Sequence, residues 1–357
     1  MDKLIEAIQT THNPSVVGLD PTDQVVPAAL IDSFREEVAD QVDDPAEIPA
    51  MQRAVAYFEF NRAIIDAIAG IVPAVKPQIA MYEALGPAGV DTYEMTCEYA
   101  QSQGLYVLGD VKRGDIGSTA AAYAKHLDGL AANNGEALDL WHEDAVTVNP
   151  YLGTDGITPF VDAAQAADKD MFVLVRTSNP SSKEIQELEL ADGTRLYERV
   201  ADLVEGWGAD TIGASGYSRV GAVVGATHPE QGKQLRERMP HTFFLVPGYG
   251  AQGGTAADVA GMFDEQGSGA IVNSSRGIIG AWRKNGGYSN GMSADDMLGL
   301  VASSARDAAL AMRDDLEAAL ALHARNIAKQ HAPYNAGVGS GRDRAFISYQ
   351  AQRRGNG

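Results

Sequence analysis

Short apolar runs alternate along the chain with longer stretches of helical periodicity, and the alternation recurs eight times. An opening helix, about Lys3 to Gln9, passes through Asn13-Pro14 into the first run, Ser15 to Leu19, which stops at Asp20-Pro21. An acidic, Pro-punctuated excursion, Asp40 to Pro49, leads to a helix over Met51 to Ala69 and to the second run, Ile71 to Lys76. A helix over Glu83 to Gln103 precedes the third run, Leu105 to Leu108. Ala145 to Asn149, Met171 to Arg176, Val220 to Ala226, Phe243 to Val246 and Ala270 to Asn273 supply the remaining five. Helical patterns also cover Thr119 to Leu130 and Tyr197 to Trp207, while Glu184 to Gly193 reads as a surface insertion.

Buried strands that alternate with helices predict a parallel sheet, and eight such units predict a closed (β/α)8 TIM barrel over residues 1–292. The long helical pattern Ala294 to Lys329 predicts a C-terminal helix, 293–330, packed on the barrel or against a partner. The Gly- and Arg-rich stretch 331–357 reads as a flexible tail.

The polar residues that end these runs then become the informative ones, because a barrel of this kind keeps its chemistry at the C-terminal ends of its strands. The third run opens into GDVKRGDIGSTAAAY, Gly109 to Tyr123. Asp110 and Lys112 stand two apart, so on an extended backbone both point to one side as a charge pair. Asp115 follows where Gly114 lets the chain turn. Lysine is scarce here, with nine among 28 basic side chains. Lys76, at the end of an apolar strand before Pro77, is therefore costly unless it is paired, and Asp110 on the next strand is its natural partner. The glycines of PGYGAQGG, at 248, 250 and 253, spell GxGxxG between a strand and a helix. After six strands the better reading is a phosphate loop whose backbone N–H groups converge on an anion, rather than a dinucleotide fingerprint. Arg276, in SSRGIIGAW after the last strand, offers a guanidinium suited to bidentate phosphate binding. Asn149 is placed at the pocket mouth.

The string DVKRGDIGSTAAAYA resembles the signature of the orotidine 5'-phosphate decarboxylases, in their longer, type 2 branch. VGLDP, VKPQ, PGYGAQGG and SSRG follow the family's order across roughly residues 15–280. The resemblance implies conversion of orotidine 5'-monophosphate to UMP and carbon dioxide without metal or organic cofactor. It makes Lys112 the group beside C6, with Asp110, Asp115 and Lys76 in an alternating charge network. It assigns Asp20 to the ribose hydroxyls, Ser178 to the pyrimidine edge, and Gln252 to a bridge between phosphate and base. It also places Pro247, Gly253, Arg276 and Gly277 against the substrate. Asp115, Ile116 and Thr119 match positions that enter the neighbouring subunit's site, which implies a homodimer with shared sites. A magnesium-dependent sugar-phosphate synthase, a Schiff-base aldolase and a silent nucleotide-binding barrel remain as alternatives.

Composition narrows this further. A formal charge of -20 opposes a general nucleic-acid binder, and such an acidic surface resembles proteins of highly saline cytoplasm, as in a halophilic archaeon. The single cysteine, Cys97, excludes an intramolecular disulfide and predicts a core role in a reducing cytoplasm. No apolar run approaches the length of a membrane span.

Overall fold

A computed structural model describes residues 1–132, 137–289 and 291–331. Eight parallel strands close into a barrel in sequential order. They are β1 (Ser15–Leu19), β2 (Ala74–Pro77), β3 (Tyr106–Arg113), β4 (Ala145–Val148), β5 (Asp170–Arg176), β6 (Val220–Val224), β7 (Phe244–Val246) and β8 (Ala270–Ser274). A small antiparallel ladder, Leu130–Ala131 with Ala137–Leu138, lies outside the barrel.

The two faces of each strand build two cores. Val17, Val75, Val107 and Val146 face the surrounding helices. Val16, Ala74, Leu108, Ala145, Phe172 and Ile271 fill the barrel interior, closed below by Leu4 and Ile5 of the opening helix Asp2–Thr11. Strand periodicity then fixes the next interior layer, two residues further along each strand. That layer holds Gly18, Lys76, Asp110, Thr147 and Asn273. An apolar floor thus carries a polar ring, at the end where such barrels work.

Local chemistry shifts several predicted boundaries. The expected helix Glu83 to Gln103 is two helices, Ile79–Glu83 and Pro87–Ser102. Gly86 between them takes φ +69°, and Pro87 starts the second helix, where its missing N–H costs nothing. The expected helix Thr119 to Leu130 is likewise Gly117–Tyr123 and Lys125–Asp128, ended by Gly129 at φ +60°. The third strand continues well beyond Leu108, through Asp110 and Lys112. The C-terminal helix Ala294–His331 packs on Ile48–Ile68 and on the short helices Ala256–Ala260 and Arg276–Ile279. The expected flexible tail beyond His331 lies outside the described residues.

Behind β3 the loop that leads into β4 approaches very closely. A Cβ on Gly109 would sit 2.0 Å from Glu143 Oε1. Glu143 is fully buried and cannot retreat, because Tyr93 donates its hydroxyl to it and His126 Nδ1 lies 2.8 Å away. Gly109→Ala is therefore expected to destabilise the fold by about 1–3 kcal/mol through overpacking, and to displace the neighbouring Asp110. Thermal unfolding checks this, and an unchanged melting temperature would refute it.

Candidate active site

The barrel's C-terminal mouth opens into a pocket of about 530 Å³, a size suited to a small-molecule ligand. Asp110 is its hub. Lys76 Nζ donates to Asp110 Oδ2 at 2.6 Å and Gln78 Nε2 to the same oxygen at 2.9 Å. Thr147 Oγ1 donates to Oδ1 at 3.0 Å, and Lys112 Nζ donates to Oδ1 as well. Both carboxylate oxygens are thus saturated.

Burial alone would push the Asp110 carboxyl up, but the Lys76 and Lys112 ammonium groups outweigh it and hold the carboxyl well below its ordinary range. Lys76 is opposed by its own burial, yet Asp110 and Asp20 carry it above its ordinary value. Both groups stay charged across the neutral range. The two ammonium groups differ in access: the Lys76 side chain is 6% exposed and that of Lys112 46%. Lys112 is the one that faces the open pocket.

Lys112 departs from the extended backbone expected of it. Its φ is +43°, in the left-handed region, where β3 loses register with β4. A non-glycine residue held there costs on the order of 1–3 kcal/mol, which the surroundings must offset. Thr147 does so, accepting the Lys112 backbone N–H at 3.0 Å while its own hydroxyl points to Asp110. The Lys112 backbone is thus held by Thr147 of β4 and its side chain by Asp110, which the same threonine anchors.

Asp20, Ser178, Pro247, Gln252 and Arg276 all line the same pocket. Asp20 Oδ1 is buried without a hydrogen-bond partner among the described residues, so an acceptor is left open to a ligand. Arg276 and Gln252 come from the loops after β8 and β7, where barrels of this class hold phosphate.

The glycine-rich loop differs from the expected nest of free N–H groups. Gly250 donates to Gly254 O, Gly253 to Gly250 O and Gly254 to Gly248 O, at 2.8, 2.9 and 3.1 Å. The glycines shape the loop, with φ of +102°, +70° and +95° at 248, 250 and 253. The next helix, Ala256–Ala260, has its N-terminus closed by a Thr255–Asp258 capping box. Three N–H groups of the loop are therefore spent within it, and Gln252 and Arg276 are the polar side chains that these two loops bring to the pocket. Tyr249, also in the pocket wall, donates to Asp315 of the C-terminal helix at 2.6 Å.

Gly253 and Gly277 do not line the pocket. Asp115, Ile116 and Thr119 do not line it either; Asp115 Oδ1 accepts from the Ile116 N–H at 2.7 Å. Asn149, expected at the pocket mouth, does not line the pocket, and its side chain accepts from Tyr151 N at 3.0 Å. Sequence reasoning missed Gln78, Thr147, Asn273 and Gln186, all in the wall. Thr147 and Asn273 carried a signal, each standing two residues beyond an apolar interior position. Gln186 carried none: it lies in the stretch read as a surface insertion. Among the described residues, no three His, Cys, Asp or Glu side chains gather as a metal site would need, and no helix is long and apolar enough to cross a membrane.

Residues 16–285 match the orotidine 5'-phosphate decarboxylase / HUMPS family. The chain belongs to that family. It is 46% identical over 282 residues to the orotidine 5'-phosphate decarboxylase of Rhodopirellula baltica, covering 79% of this chain and 88% of that one. The Petrotoga mobilis enzyme of the same name is 39% identical over 319 residues, covering 89% and 98%. Among solved structures, the Leishmania donovani OMP decarboxylase superposes with a TM-score of 0.64 at 28% identity, covering 89% of this chain and 98% of that one. Family membership and the closed barrel thus agree with what the motifs implied.

Proposed function

We propose that the pocket decarboxylates orotidine 5'-monophosphate to UMP and carbon dioxide, the last step of de novo pyrimidine biosynthesis, with Lys112 as the group that meets the reacting carbon. The observation that carries this is the charge array at the mouth: a buried aspartate held ionised by two ammonium groups, one of them open to the ligand space. Loss of carbon dioxide leaves an electron pair at C6 of the pyrimidine. A fixed ammonium stabilises that pair as it develops and then delivers a proton to C6, so the C–C bond is replaced by a C–H bond. Lys112, left neutral, regains its proton from solvent. Asp110 keeps Lys112 charged and aimed, and its negative charge near the departing carboxylate favours departure. Four side chains already orient this carboxylate, so little reorganisation accompanies the reaction.

Binding divides along the pocket. Arg276 and Gln252 take the phosphate, with Pro247 shaping that end. Asp20 takes the ribose hydroxyls, and Ser178 the pyrimidine edge. The reading includes no metal or organic cofactor, since an ammonium, Lys76, stands where magnesium-using relatives of this barrel class place an acidic residue. Arg276→Ala is expected to weaken UMP binding about 10- to 100-fold, the value of a charge-assisted phosphate contact, while uridine binding changes little. Calorimetry with both ligands checks this; equal losses for both would remove Arg276 from the phosphate site.

The reading also includes a homodimer. Asp115, Ile116 and Thr119 lie outside the lining of their own pocket, and the exposed Ile116, Tyr151 and Leu152 offer apolar surface there. Their role is to complete the partner's site. Lys112→Ala and Asp115→Ala proteins, each inactive alone, should therefore partly restore turnover of orotidine 5'-monophosphate when mixed. Mixed dimers that form without regaining activity would sink the shared-site reading.

A further inference from the structure

Arg176, the last residue of β5, is an arginine buried completely in the interior. Strand periodicity alone would turn it into the barrel with Leu174, which lines the pocket. The register of β5 against β6 slips between Leu174 and Arg176, however. The partners of Arg176 accordingly come from loops and helices outside the sheet.

Burying a guanidinium is costly unless its donors are satisfied, and here every nitrogen finds an acceptor. Nε donates to Gln231 Oε1 at 2.6 Å. Nη1 donates to Thr177 O at 3.3 Å, to Gln186 Oε1 at 3.1 Å and to Ser182 Oγ. Nη2 donates to Glu187 Oε1 at 2.6 Å and lies 3.4 Å from His228 Nδ1. The acceptors belong to two segments, 177–187 after β5 and 228–231 after β6. Gln186 passes the constraint on: its Oε1 accepts from Thr177 N at 2.9 Å and its Nε2 donates to Thr177 Oγ1 at 2.8 Å. The next residue is Ser178. It is wedged between glycines, since a Cβ on Gly225 would lie 2.8 Å from Ser178 N, and one on Gly248 would lie 3.3 Å from Ser178 Cβ and 3.1 Å from Gln252 Oε1.

We infer that Arg176 is a positioning residue for substrate recognition: it clamps the 177–187 loop onto the 228–231 segment, and so fixes Ser178 at the base end of the pocket beside Gln252. The inference rests on the function proposed above, in which Ser178 meets the pyrimidine edge. A guanidinium suits the task because its planar fork reaches three directions at once, whereas lysine would keep the charge against Glu187 but lose the fork.

A double-mutant cycle tests it. UMP affinity by calorimetry and kcat/KM for orotidine 5'-monophosphate would be measured for wild type, Arg176→Lys, Ser178→Ala and the double variant. Arg176→Lys is expected to reduce both quantities at least tenfold in the wild-type background, and less than threefold once Ser178 is already alanine. Ser182→Ala, which removes one anchor of the guanidinium from outside the pocket, should show the same dependence on Ser178 if Arg176→Lys does not fold. Equal losses in both backgrounds, or no loss at all, would overturn the inference. Because UMP affinity is read separately, a wild-type protein that binds UMP without turning over substrate would overturn the reaction instead and leave the Arg176 cycle readable.

Discussion

Lys112→Ala should lower kcat by roughly 10⁵-fold or more, the combined loss of charge stabilisation at C6 and of the proton donor, while UMP affinity falls far less. The two contributions act on the same atom at successive moments, so one truncation removes both. Fold stability should barely change, because the Lys112 side chain is half exposed, and release from the strained backbone of position 112 is not affected by shortening the side chain. Arginine at this position would keep a charge but could not yield a proton near neutral pH. Lys112→Arg is thus expected to remain nearly as inactive as the alanine variant. Stopped assays at high enzyme concentration, together with UMP calorimetry, would separate these effects; residual turnover within tenfold of wild type would remove Lys112 from the chemistry.

The second large effect concerns the hub. Asp110→Asn keeps the shape and some hydrogen bonds but leaves Lys76 charged and buried without its main counter-ion, and should cost about 3–5 kcal/mol of stability as well as activity. The pH dependence gives a sharper signature. In the wild type, the Asp110 carboxyl is held below its ordinary value of about 3.9. Its contribution is complete above that pH and is lost as pH falls toward the depressed value. Lys76 is raised above its ordinary value, so its contribution is complete below about pH 10.4 and is lost as pH rises from there through the raised value. In Asp110→Asn, burial is no longer offset by that carboxylate, and Lys76 should fall below 10.4. The variant then gains stability as pH rises through the interval between the lowered value and 10.4, where the wild-type Lys76 contribution is flat. Adding Lys76→Met should recover most of the lost stability without recovering activity. Chemical denaturation between pH 6 and pH 10 would decide the matter, and a variant with a flat profile and wild-type stability would contradict the hub assignment.

Much of this was legible from period and composition. Eight apolar runs at strand spacing specified the barrel, and a lysine ending a buried strand demanded a carboxylate partner, which Asp110 provides at 2.6 Å. What escaped the sequence was long-range or conformational. Thr147 is an ordinary strand residue until it is seen to hold both Asp110 and the Lys112 backbone. The left-handed turn at Lys112 could not be read from a run that alternates as an extended strand would. The stretch around Gln186 is polar and broken by turns, as surface loops are, yet it satisfies a buried arginine ten residues earlier. Glycines at 248, 250 and 253 mark a loop correctly without saying which way its N–H groups turn.

The measurement that bears most directly on the central claim is the ultraviolet assay of orotidine 5'-monophosphate loss by the full chain with EDTA present, paired with identification of the product. The account predicts turnover that persists in EDTA, stoichiometric UMP and carbon dioxide, and one solvent-derived hydrogen at C6. A folded protein that binds UMP but leaves orotidine 5'-monophosphate unchanged, or one whose turnover stops when metal is chelated, would contradict it.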